Sequence, residues 1–139
     1  MPRGKKNWNH IRISTLKPGC WHDRDNVLLH ASFQILVDFV EGEQPFRYID
    51  WTTNREHKRA RREIARLYFW WKRVYPARKE PVYAYDVNPV FDKFPDPDGK
   101  IHAAWKKYCD ELYRLETAWE IEDQNMLVRL VRIRKYLWT

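Results

Sequence analysis

The sequence predicts an all-α fold, a bundle of three main helices with a long packed loop rich in aromatic residues and proline. Three observations carry this. Apolar residues recur at spacings of three and four in three long segments. Residues that cap or stop helices bound each segment. A stretch with five prolines separates the second segment from the third. The 139 residues fit a single domain around one core.

Residues 1–20 read as a basic N-terminal arm, in which NHIRIST can form a short strand because Ile11 and Ile13 alternate with polar neighbours. Pro18-Gly19 marks a turn. Asp23 or Asp25 can cap a first helix over 24–41, which Gly42 and Pro45 end. Thr52, Thr53 or Asn54 can cap a second helix over 54–75, which Pro76 stops. Residues 76–99 then form the loop, with Tyr83, Tyr85, Phe91 and Phe94 to pack it and VYAYDV as a second candidate strand. Asp98-Gly99 closes it, and a third helix covers 100–137. Along that helix Ile101, Trp105, Tyr108, Leu112, Leu115 and Trp119 make a heptad-like seam. The next place is the acidic Glu122, and beyond Met126 the seam runs one residue late, at Leu130, Ile133 and Leu137. The offset implies a kink, a second packing partner or a break near 120–125.

The chain is 44% hydrophobic and 16% aromatic, which excludes a disordered tail. Its formal charge of +7 and pI near 9.5 favour anionic partners. Cys20 and Cys109 show neither CxxC nor zinc spacing, so a reducing, cytoplasmic setting is expected. The opening MPRGKKNWNH has no apolar run after it and does not read as a secretion signal. No stretch approaches the roughly 20 apolar residues of a membrane span.

Three constellations stand out. In DNVLLHASFQILVDFVE a polar residue returns every fourth place: Asn26, His30, Gln34 and Asp38. Leu28, Leu29, Ile35, Leu36, Phe39 and Val40 are expected to form the apolar face, and the narrow polar line, flanked by Val27 and Val37, to be partly buried. Its expected partners are Arg and Lys of other helices, or Glu122 and Asp123, in a network that fixes register; a ligand-pocket floor is the competing reading. In the second helix Ala60, Ile64, Leu67, Tyr68, Trp71 and Val74 form the buried stripe. Arg55, Arg59, Arg62, Arg66 and Arg73 follow one another on the opposite face, widened by Lys58, Arg61 and Lys72. Planar, always-charged guanidiniums in a line suit phosphate, and Glu56 and Glu63 are too few to neutralise them. In NMLVRLVRIRKYLWT a second apolar stripe, Leu127, Val131 and Trp138, needs cover that a second subunit can supply, so a homo-oligomer through this helix is expected.

Signals for catalysis are weak. Asp38 and Glu41 with Glu120 and Asp123 resemble the paired carboxylates of all-α nucleotide pyrophosphatases, but lie much farther apart in sequence. No Walker loop or nucleophile signature is present. No catalytic residue, metal site or cofactor is therefore assigned.

WHDRDNVLLHASFQILVDFVE, DWTTNREHKRARREIARLYFWW and EDQNMLVRLVRIRKYLWT together resemble an uncharacterised family of small tailed-phage helical proteins. The resemblance covers most of the chain, leaving out the basic arm and the loop at 76–99. It transfers no functional residue. It implies a bacteriophage protein in the cytoplasm of the infected bacterial host, where such proteins bind DNA, host enzymes or defence components, and some sequester nucleotide signals. The leading expectation is thus an anti-defence sponge that binds an anionic nucleotide-type ligand without catalysis. Arg24, Arg55, Arg59, Arg62, Arg66 and Arg73 would hold phosphates, with Trp21, His30, Tyr83 and Tyr85 as the other ligand-binding residues. The alternatives are a DNA- or RNA-binding protein using the same arginine face, a host-protein-binding inhibitor, and a metal-dependent nucleotide hydrolase.

Overall fold

The computed structural model describes residues 11–138, and all regular structure among them is helical. Helix α1 spans Arg24–Asp38 and passes into a π-helical turn, Phe39–Glu43. The short α2 spans Pro45–Tyr48. Helix α3 spans Arg55–Phe69 and continues as a second π-helical turn, Trp70–Val74, and a 3-10 turn, Tyr75–Ala77. Helix α4 spans Lys100–Arg132, with a 3-10 turn at Arg134–Tyr136. The contacts divide the chain into two compact units: residues up to Pro76 with those from Asn125 onward, and Ala77–Gln124.

The three expected helices form, with shorter α-helical spans. The first gives way to the π turn at Phe39, and Gln44, in the left-handed region at φ 49, ends it; Gly42 only rides within the turn. A residue other than glycine held there costs of order 1 kcal/mol, and it turns the chain into α2, an element the sequence reading missed. Asn54 caps α3, its side chain accepting from the His57 N–H at 2.8 Å. Asp23 is the residue before α1 but makes no side-chain cap bond, and Asp25 accepts from the N–H of Asn26 instead. Neither strand expectation holds: no strand forms among the described residues. Over VYAYDV the Tyr83 hydroxyl donates to the Val87 carbonyl at 2.7 Å, a local closure with no partner strand. Residues 1–10, half of the expected arm and including Asn9 and His10 of the first candidate strand, lie outside the described residues.

In the first unit the core is aromatic. Phe33 of α1 stacks on Trp71 at 4.7 Å and leans on Trp70 at 5.2 Å, while Tyr75 stacks on Trp71 at 4.6 Å. Such pairs contribute about 0.5–1.5 kcal/mol each beyond the area they bury. Both indoles enter the core at the π turn, whose larger number of residues per turn shifts the α-helical stripe by one residue. Val74, expected inside, is consequently exposed. Trp51 closes one side, its indole N–H donating to the Pro45 carbonyl at 2.9 Å. Met126, Leu130 and Ile133 of α4 complete this core.

The polar line of α1 is partly buried, as expected: His30 and Gln34 are each 6% exposed, while Asp38 at its end is exposed. Of the expected apolar face, Leu29, Leu36 and Phe39 are buried, but Leu28 and Ile35 are 59% and 45% exposed. Among the described residues, the line's partners outside the helix are the hydroxyls of Ser14, Thr15 and Tyr75 and the backbone N–H of Ser14. His30 Nδ1 meets the Thr15 hydroxyl at 2.6 Å and Nε2 the Tyr75 hydroxyl at 3.1 Å. Gln34 Oε1 accepts from the backbone N–H and the hydroxyl of Ser14, and its amide donates to Asp38 at 2.8 Å. The line thus seats the Ser14-Thr15 segment and anchors the chain after α3. The expected Arg, Lys and acidic partners play no part in these bonds.

The second unit packs the loop on the first part of α4. Tyr83 lies against Trp105 and Tyr108 at 5.1 and 5.5 Å, and Tyr85 against Tyr83. Phe94 packs on His102, while Phe91 is 83% exposed. Asp96 accepts from the N–H groups of Ile101 and His102 and from His102 Nδ1, staples the start of α4, and is held below the usual carboxylate range chiefly by the His102 side-chain bond. Glu122 and Asp123 both grip Arg78 at 2.8 and 2.7 Å, and its guanidinium lies 5.6 Å from the Trp119 ring. Helix α4 runs unbroken through 120–125. The seam offset marks a change of partner: Ile101 to Trp119 belong to the second unit and Met126 onward to the first.

Removing the imidazole should leave the Thr15 and Tyr75 hydroxyls short of a partner and open a cavity beside Trp71. His30→Ala is expected to lower the unfolding free energy by about 1–3 kcal/mol, and Tyr75→Phe by about 0.5–1.5 kcal/mol. Leu28→Gln on the exposed side should change it by no more than about 0.5 kcal/mol. Urea denaturation of the three variants measures the order; equal effects would contradict the assignment of faces.

Candidate functional site

The row of arginines on α3 forms one wall of a cleft of about 730 Å³. Arg55, Arg59, Arg62 and Arg66 project from the side of α3 away from Leu67 and Trp71, because their spacing repeats one helical face. The opposite wall comes from the end of α4 and the turn after it, through Arg129, Arg132, Ile133 and Tyr136. Ala60 and Ile133, 2% and 8% exposed, lie between the walls. The volume falls within the usual range for small-ligand sites.

Two side-chain ties join the walls. Glu63 and Arg129 form a two-pronged ion pair, Nε to Oε1 at 2.5 Å and Nη2 to Oε2 at 3.0 Å. This bond holds the Arg129 guanidinium above its usual pKa against the opposing effect of partial burial. Arg129 Nη1 also points to Met126 Sδ at 3.3 Å. Seven residues earlier on α3, Glu56 accepts from the Tyr136 hydroxyl at 3.3 Å, and the His57 ring meets Tyr136 edge-on at 5.7 Å. The pairings 63 with 129 and 56 with 136 make the two walls antiparallel.

Charge is left over. Six arginines against two glutamates leave four positive charges in excess along the lining. Glu63 is taken by Arg129, so Arg55, Arg59, Arg62, Arg66 and Arg132 have no carboxylate partner among the described residues. Arg62 makes one bond, a long one of 3.4 Å from Nε to the Lys58 carbonyl. Guanidiniums keep their charge at any working pH, and facing donors in a concave site suit phosphate or carboxylate groups.

The other expected ligand residues are placed elsewhere. Arg73, beyond the π turn, lines a separate concavity with Phe46, Tyr68, Phe69 and Lys72. His30 is buried with both ring nitrogens bonded, a structural role that leaves it no face for a ligand. Trp21 is 84% exposed, and Arg24, at the start of α1, is exposed; neither lines the cleft. Tyr83 and Tyr85 belong to the second unit and pack there. Arg129, Arg132 and Tyr136 were missed in the sequence. Their signal was available: Arg129, Arg132 and Tyr136 follow at three and four beside the Met126, Leu130 and Ile133 stripe.

Among the described residues no three His, Cys, Asp or Glu side chains gather closely enough to hold a metal ion, and Cys20 and Cys109 are free thiols. Among them, too, no helix is long and apolar enough to cross a membrane. No family model, curated protein or solved structure matches this chain.

The Glu63–Arg129 pair is partly open to solvent, so water screens it. A double-mutant cycle of Glu63→Ala and Arg129→Ala, read by chemical denaturation, should give a coupling of about 0.2–1 kcal/mol. A coupling that persists in about 1 M salt would show the pair to be buried more deeply than its exposure implies.

Proposed function

We propose that this protein binds and sequesters an anionic, nucleotide-type ligand without transforming it, and that its setting is phage anti-defence in the cytoplasm of the infected host. The observation that supports the ligand class is the cleft, in which five guanidiniums without carboxylate partners stand on two facing walls. A concave site with cations on both sides surrounds a small anion, whereas a strand-binding surface tracks a backbone along one face. Tyr136 is the aromatic residue of the lining and the candidate to pack against a base or sugar. The phage setting rests on the resemblance of the three segments alone.

Binding of DNA or RNA is the second reading. It is favoured by the cations outside the cleft: Lys58, Arg61, Lys72 and Arg73 are exposed and extend the positive surface of α3 and its π turn. The two readings differ in salt dependence. A strand touching about five phosphates loses affinity with a logarithmic slope near five, while a small nucleotide gives a shallow slope.

Arg62→Glu with Arg66→Glu should leave the fold intact, because exposed substitutions cost little, and should weaken binding of phosphate-bearing ligands by about tenfold or more. Titration calorimetry against nucleotides and short oligonucleotides tests this, and mass spectrometry of molecules released on denaturing the protein from infected cells identifies the ligand. Unchanged binding of every nucleotide and nucleic acid by the double variant would reduce this face to a solvated surface and leave the host-protein reading.

We further propose that α4 takes part in a homo-oligomer, since Val131 is 61% exposed and Val128 is exposed beside it. The other two members of the expected stripe are used within the chain, Leu127 against the core and Trp138 on Trp51 at 5.6 Å, so Val131 with the neighbouring Val128 is the core of the proposed contact. Light scattering should show more than one chain per particle, and Val131→Glu should lower the mass; a monomeric parent protein would end this proposal.

A further inference from the structure

The two ties across the cleft divide it, and the division carries information about the ligand. Glu63–Arg129 and Glu56–Tyr136 lie seven residues apart on α3, two turns or about 10 Å of helix axis. Between them α3 contributes Arg59, Ala60 and, next to the Glu63 tie, Arg62, while Arg132 at the end of α4 and Ile133 just after it face them. The antiparallel register sets Arg132 at the level of residues 59–60, so the two arginines stand on opposite walls over an apolar floor of Ala60 and Ile133. The carboxylates at the two ends are occupied, by Arg129 and by the Tyr136 hydroxyl. Neither neutralises Arg59 or Arg132. Arg55 and Arg66 lie along the same wall beyond the two ties, and Arg62 stands at the rim beside Glu63.

We propose that this compartment is a seat for a terminal phosphate, a phosphomonoester, and that the ligand's remaining phosphates or sugar extend toward Arg62 and Arg66. The proposal rests on the anion-binding reading of the cleft and narrows it. Two opposed guanidiniums match the charge of a monoester, which carries nearly two negative charges at neutral pH, and its three terminal oxygens accept from both forks at once. A diester carries one negative charge on two free oxygens, so it balances the charge of one arginine only and offers fewer acceptors to the two forks. The ends of the compartment also present Glu56 and Glu63, which disfavour a phosphodiester chain running through it.

The test uses the full chain and two probes that share a base and sugar, adenosine 5′-monophosphate and its 3′,5′-cyclic diester, with calorimetry as the readout. The monoester should bind at least about tenfold more tightly than the diester. Arg59→Ala and Arg132→Ala should each bring the monoester down to the level of the diester, and the double variant should lose little more, because both arginines act on one group. Arg66→Ala should weaken both probes alike and keep their ratio. Equal affinities for the two probes, or a ratio that survives Arg59→Ala and Arg132→Ala, would overturn the seat while leaving anion binding in place. If neither probe binds, and a longer polyphosphate does not bind either, the anion-binding reading falls with it.

Discussion

The packing of Trp71 sets the geometry of the first unit. Phe33 of α1 and Tyr75 of the chain after α3 stack on its indole, and His30 meets it edge-on at 4.8 Å. Through His30 the same cluster reaches Thr15, and through Phe33 it reaches Trp70. Helices α1 and α3 are therefore held together by rings with few internal rotations, which lose little entropy on ordering. The π turn at Trp70–Val74 is the local consequence. Neighbours on an α-helix are about 100° apart; small pairs such as Leu36 and Val37 of α1 are still buried together, and for two bulky indoles the wider turn eases the fit. Its effect extends outward as well, since it rotates Arg73 away from the row formed by Arg55, Arg59, Arg62 and Arg66.

Local chemistry made the helices legible in the sequence. Asn54 caps α3, Gly99 at φ 72 precedes α4, and Ala60, Ile64, Leu67 and Trp71 are buried as their spacing requires. What was not legible depended on distant partners. Nothing in α1 alone says that Ser14, Thr15 and Tyr75 would satisfy its polar line, and without them a helical wheel puts Leu28 and Ile35 inside. One wall of the cleft was legible for the same reason as the helix that bears it. The other wall required knowing that α4 pairs antiparallel with α3, and that pairing is fixed by contacts more than sixty residues apart in sequence.

The arginine row is costly to the helix that carries it. Like charges three and four residues apart oppose helix formation by about 0.2–0.5 kcal/mol per pair. The helix tolerates this because Ala60, Ile64 and Leu67 on its opposite side are buried and its start is capped. The glutamates of α3 relieve only part of the repulsion, and each is turned toward α4: Glu63 to Arg129, Glu56 to Tyr136. They are spent on holding the walls together. Had they been folded back along α3 as pairs within the helix, the row would be closer to neutral and the cleft would have no cross-ties. The arrangement keeps the cleft's walls and its charge at the same time: the ties hold the two walls together, while the five guanidiniums without carboxylate partners stand on exposed side chains. Walls already in place lower the cost of binding, and that property, more than the total charge of +7, separates this cleft from the diffuse positive surface around it.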